Sequence, residues 1–339
     1  MTSNSAAAAQ YGGRQQSPIQ RVQHLLHSYP FLSPAILLII TMAAFTALNS
    51  RFALPANLSS LMEQAAIVAL LGVGQTLIIL TAGIDLSCGA IAILSMMLMG
   101  TLASTNGVPG PLAIILGILF GVAAGFVNGL LITRLNLPPF IVTLGTLSVF
   151  TAVALLYSGG SSIQGSKMPD IMTALGNSFP VGSFRISYGV IVVVLTYIVV
   201  GFVLSQTAWG RHVYAVGDDA ESARLSGVPS KRILISVYTV AGLIYGITAW
   251  VLIGRSGAAT PNAIPQGNLE SITAVVIGGT SLFGGRGRLV GTLLGALIVW
   301  SFSRGLSLAG VDQQWRLFAI GVLVIVAVSI DQWIRKVKA

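Results

Sequence analysis

The sequence predicts an all-α, polytopic membrane protein of about ten helices, and three observations carry that reading. Of its 339 residues 54% are hydrophobic. Only 8% are charged, against roughly a quarter in an ordinary soluble domain. The apolar residues are gathered into runs close to the roughly 20 residues that a spanning helix needs. A chain this apolar has too little polar surface to face water, and in hydrocarbon its backbone must find its hydrogen bonds inside helices.

The runs fall at about 30–48, 58–81, 86–104, 111–133, 138–157, 187–205, 233–254, 269–283, 289–303 and 315–330. Pro138 and Pro139 open the fifth, where a missing N–H donor costs least. The run at 269–283 falls short of a full span and reads as tilted, broken or partly re-entrant. Residues 1–29 are rich in Ala, Ser and Gln and hold no cleavable apolar stretch, so they read as a disordered cytoplasmic tail. Residues 30–334 form the transmembrane domain, and 335–339 a short cytoplasmic tail. With the N-terminus inside, twelve of the 18 Lys and Arg, among them Arg134, Lys231, Arg232, Arg286 and Arg288, fall on the cytoplasmic side. That bias is the one expected of cytoplasmic loops, and it puts both termini inside.

Composition also excludes functions. The net charge of +9 is scattered between apolar runs, which speaks against a nucleic-acid surface. Cys88 is the lone cysteine, so the chain builds neither a disulfide nor a Cys-based metal site within itself. His24, His27 and His212 have no metal-ligand spacing. The Gly-rich stretch 278–291 lacks the Gly-Lys-Ser/Thr ending of a phosphate loop and reads as close helix packing. No catalytic residue, metal or cofactor is assigned.

Two connections exceed the usual short loop. The segment Gly159 to Ile186 lies outside and reads equally as a partner surface or a passive cap. The segment 206–232 lies inside and holds the densest charge. Within it Asp218 is placed to cap a short helix, Asp219 to Ser226, with Glu221 three residues on as in a capping box and Gly227 and Pro229 as the stop. Ala220, Ala223 and Gly227 share a small-residue face, and Glu221 and Arg224 can pair. A helix this short is marginal in water, so it is a surface decoration or it is stabilised by docking. At the third run, Asp85 and Ser87 read as N-terminal caps or solute contacts. Asn128 reads as an interhelical tie or a solute contact.

RHVYAVGDDAESARLSGVPSKR, from Arg211 to Arg232, resembles the cytoplasmic loop of ribose-type and related sugar permeases of ATP-binding-cassette importers. TAGIDLSCGAIAILS from Thr81, NGLLITRLNLPPFIVTLGTL from Asn128 and VVIGGTSLFGGRGRLVGTLLGALI from Val275 resemble further blocks of that family, although Ala82 and Cys88 replace its usual Gly and Val. The resemblance implies the ten-helix fold of vitamin B12 importers in a bacterial inner membrane. It also implies a pair of permeases, a separate ATPase subunit that hydrolyses the ATP, and an extracytoplasmic sugar-binding protein. Residues Asp218, Asp219, Glu221, Ala223, Arg224, Leu225 and Gly227 would form the ATPase-coupling helix, and Gln75, Asp85 and Asn128 would lie on the solute pathway. A branched-chain amino acid permease shares the architecture and stays open as a rival. An ion-coupled transporter would need membrane-embedded carboxylates, and Asp85 is the single deep one. A membrane-embedded enzyme would need paired carboxylates or His clusters within the spans.

Overall fold

The computed structural model describes residues 31–336. The predicted tail at 1–29 lies outside the described residues, as do the last three residues. Each of the ten apolar runs is a helix: α1 (Leu32–Leu48), α2 (Pro55–Leu80), α3 (Cys88–Ser104), α4 (Gly110–Leu135), α5 (Pro139–Ser158), α7 (Tyr188–Gln206), α10 (Ser230–Ser256), α11 (Gly267–Ile277), α12 (Leu289–Leu308) and α13 (Gln313–Lys336). The connections add the short α6 (Asp170–Thr173), α8 (Ala208–Asp218) and α9 (Ala220–Leu225). Among the described residues α2, α4, α5, α7, α10 and α12 are each long and apolar enough to cross a membrane. Helices α1, α3 and α11 are shorter, as is the apolar part of α13, Gln313–Val326.

Helix α2 is the axis of the bundle: every residue from Ala65 to Leu80 is buried. It has no polar face because it meets protein on all sides, and its small residues let neighbours come close. Thr76 meets Thr292 of α12 at 2.6 Å. The most extensive crossing joins α4 to α10. Glycines recur every fourth residue at Gly117, Gly121, Gly125 and Gly129, and Gly121 and Gly125 lie on Gly242 and Gly246 of α10. Backbone meets backbone there, and in lipid, where no hydrophobic force joins helices, such packing is the chief adhesive. The outward faces carry large apolar groups instead, such as Ile115 and Leu119 on α4, Ile141 and Leu156 on α5, and Ile198 and Phe202 on α7.

The run at 269–283 resolves as broken. Helix α11 has 11 residues, about 16 Å at 1.5 Å per residue, roughly half the hydrocarbon thickness. Its first turn lies against the first turn of α3, where Gly89 N–H donates to Asn268 Oδ1 at 2.9 Å. From that meeting point the two helices run apart. Gly100 of α3 approaches Ala259 and Ile163, whereas the chain after α11 reaches Leu80 and Asp218 at the other end.

The segment 159–186 is folded rather than a plain loop. Strand β1 (Ile163–Gln164) pairs with β4 (Ala258–Ala259), and β2 (Ser178–Val181) pairs with β3 (Phe184–Ser187), both antiparallel. Arg185 N–H donates to Ser59 Oγ at 3.0 Å, and Trp250 Nε1–H to the Ile171 carbonyl at 3.1 Å. These bonds fasten the segment over the ends of α2 and α10.

Candidate coupling surface and buried polar cluster

The charged connection 206–232 holds two helices, where the sequence suggests one. Helix α8 is amphipathic: Gly210, Val213, Val216 and Gly217 face inward, while Arg211 and Asp218 face out. Thr207 caps it, its side chain accepting from Gly210 N–H at 3.2 Å.

Asp218 ends α8 and does not cap the next helix. Asp219 is the cap: its backbone is extended, φ −155° and ψ 105°, and its Oδ1 accepts from the N–H groups of Glu221 and Ser222, both at 2.9 Å. The expected capping box is therefore absent, and Glu221 turns instead to Arg224 in a two-point pair of 2.9 and 2.6 Å. Gly227 sits at φ 86°, a left-handed stop that a glycine takes without strain, and Val228 N–H closes the turn on the Ala223 carbonyl at 3.0 Å. The small-residue face divides: Ala223 is buried in the protein's own core and seats α9, while Ala220 and Gly227 are exposed. Glu221, Arg224 and Leu225 face out as well, the last 74% exposed. Hydrogen bonds from the Ser222 and Glu221 backbone hold the Asp219 carboxyl below its usual range. The Arg224 guanidinium does the same for Glu221. Both carboxylates are thus charged at neutral pH, and the cap weakens only as pH falls through the lowered Asp219 value.

The α8–α9 unit is tied into the bundle through backbone. Gly217 lies on the Leu80 carbonyl at the end of α2 and on Gly285 of the α11–α12 connection, and Gly285 N–H donates to Leu80 O at 3.0 Å. The Tyr214 hydroxyl donates to the Gly287 carbonyl at 2.9 Å. A side chain at 217 would pry these three segments apart, which is why glycine stands there.

The second cluster lies where α3 and α11 begin. Asp85 is 1% exposed, and its Oδ1 accepts from Ser87 N–H at 2.7 Å and Ser87 Oγ–H at 2.6 Å. Ser87 Oγ in turn accepts from Asn128 Nδ2 at 2.9 Å. The expectation that Asp85 and Ser87 cap α3 is corrected: Asp85 folds onto Ser87, whose hydroxyl is then committed. The α3 donor at Gly89 is met by Asn268, 179 residues away. Asn128 ties α4 to this turn, in keeping with its interhelical reading. Gln75 is buried on α2 and joins neither residue. Its two amide atoms, Asn128 Oδ1 and the Tyr238 hydroxyl make no hydrogen bond among the described residues. Replacing Asn268 with Leu leaves the Gly89 donor buried and unmet, an expected loss of about 1–3 kcal/mol, read as a lowered thermal midpoint in detergent. At the end of the bundle away from α9, Glu63, Ser187 and Arg255 line a cleft of about 40 Å³.

Apolar spanning helices around a buried core, with a capped helix presented at one end, define a polytopic membrane protein. Residues 57–328 match the family described as the permease component of the branched-chain amino acid transport system, and the chain belongs to that family. It is 47% identical to a fructose import permease protein of Rhizobium meliloti, covering 100% of this chain and 95% of that one. It is 40% identical to a ribose import permease protein of Bacillus subtilis (89% and 92% covered). With a D-allose transport system permease protein of Escherichia coli the identity is 34% (88% and 91% covered). No solved structure matches the chain.

Proposed function

We propose that this chain is the membrane-spanning subunit of an ATP-driven importer and carries a sugar or a closely related polar solute across the bacterial inner membrane, with both termini in the cytoplasm. The observation that carries the reading is its likeness, over its whole length, to proteins named as sugar import permeases. The relatives named above all carry sugars, which favours a sugar over a branched-chain amino acid. ATP is hydrolysed by a separate subunit seated on Glu221, Arg224 and Leu225 of α9. An extracytoplasmic sugar-binding protein delivers the solute, and a second permease copy or paralogue completes the pore.

The joint at Gly217 supplies the mechanics. A push on α9 passes through backbone contacts to the end of α2 and to the α11–α12 connection, with no flexible side chain to absorb it. The two elements that meet at the α3 and α11 starts are then displaced together, a two-state device biased from a distance. Asp85, Ser87 and Asn128 hold that turn to α4 during the motion, and Gln75, with its amide unengaged, is the pathway candidate with hydrogen-bonding capacity to spare.

In proteoliposomes holding permease, ATPase and binding protein, uptake is expected to persist when the proton gradient is collapsed and ATP is maintained. Uptake that follows an imposed ion gradient without ATP would overturn the proposal.

A further inference from the structure

We propose that the ATPase footprint has a second foot, the turn between α11 and α12 that presents Phe283, so that the subunit seats on Leu225 and Phe283 together. This rests on the reading of α9 as the docking helix. Phe283 is 81% exposed, and it lies at the same end of the bundle as α9, since Gly285 packs against Asp218, the residue before the α9 cap. The turn is built to hold that ring out. Phe283 N–H donates to Ser281 Oγ at 3.3 Å, Gly284 N–H to Ser281 O at 3.0 Å and Ser281 N–H to Arg286 O at 2.8 Å. Gly284 and Gly285 take left-handed backbones, φ 84° and 66°, with Gly284 pressed on Ala82 and Gly217. A rigid, pre-formed turn loses little freedom on binding, and an exposed aromatic with a charged neighbour is the kind of anchor on which interfaces depend. Leu225 and Phe283 are both exposed apolar groups, the Glu221–Arg224 pair and Arg286 are exposed beside them in sequence, and the contact of Gly285 with Asp218 joins the two segments. Because the same turn is bonded to α8 and α2, a partner standing on both feet would move the α11–α12 connection directly.

The test uses the assembled complex, titrating ATPase subunit onto reconstituted permease, with permease abundance as the check on folding. Phe283→Ser is expected to weaken ATPase binding about tenfold or more at normal abundance, as a lost interface anchor does, and Glu221→Lys to weaken it as well. An introduced F283C should crosslink to the ATPase without background, because Cys88 is fully buried. If Glu221→Lys loses the subunit while Phe283→Ser binds normally, the second foot is wrong and the α9 reading stands. If neither variant changes binding, both fall. Quenching of an F283W fluorophore by brominated lipid, unaltered by added ATPase, would assign the ring to the membrane surface and overturn the proposal, as would crosslinking of F283C only to a second permease copy.

Discussion

Gly125→Leu is expected to remove most of the folded protein, with a destabilisation of about 3 kcal/mol or more. A Cβ at 125 would stand 3.0 Å from Gly242 Cα and 3.1 Å from its nitrogen, and closer still to the Tyr238 carbonyl. These neighbours are backbone and cannot swing aside, so α4 and α10 must separate along their length. Separation forfeits the dispersion contacts of a crossing that lipid does not otherwise favour. It also moves Asn128, one turn on, away from Ser87. Gly201→Leu is the matched control, because nothing lies within 4 Å of a Cβ there. Size-exclusion profiles and thermal midpoints in detergent should separate the two variants sharply. Equal behaviour would mean that the α4–α10 contact is not what holds the bundle.

Glu221→Lys is expected to leave insertion and abundance normal while uptake and solute-stimulated ATP hydrolysis fall by more than about tenfold. The side chain is 65% exposed and its single ion-pair partner, Arg224, is 62% exposed, so the fold owes it little. Its charge matters where a partner would bury it. Combining Glu221→Lys with Arg224→Glu rebuilds the pair with reversed polarity. If the pair only stiffened α9, the double variant would recover; if a subunit reads the charges, it would not. Unchanged uptake in Glu221→Lys would make α9 a decoration of the loop.

Much of this architecture is legible in the sequence because lipid imposes simple rules. Ten apolar runs correspond to ten helices, and length alone marks the run at 269–283 as exceptional. Helix α8 escapes such a reading, since 11 residues with Arg211 and His212 among them look like a charged loop until their inward stripe is seen. Asp218 and Asp219 are adjacent acids of equal capping ability, and only the backbone angles decide which one reaches back. Ala223 is misplaced by periodicity, which gives a helix face without saying which way it points. Asn268 is beyond reach: no local pattern announces that an amide will satisfy a donor 179 residues away. The four-residue glycine spacing from Gly117 to Gly129 is readable, and its last three members mark the α4–α10 crossing described above.

The meeting of α3 and α11 also has an electrical side. Each helix start carries about half a positive charge from its aligned peptide dipoles, and each helix end an equal negative one. A helix that moves as a whole therefore carries no net charge, and displacing α3 and α11 together moves no dipole charge across a membrane voltage that is worth about 2.3 kcal/mol per unit charge per 100 mV.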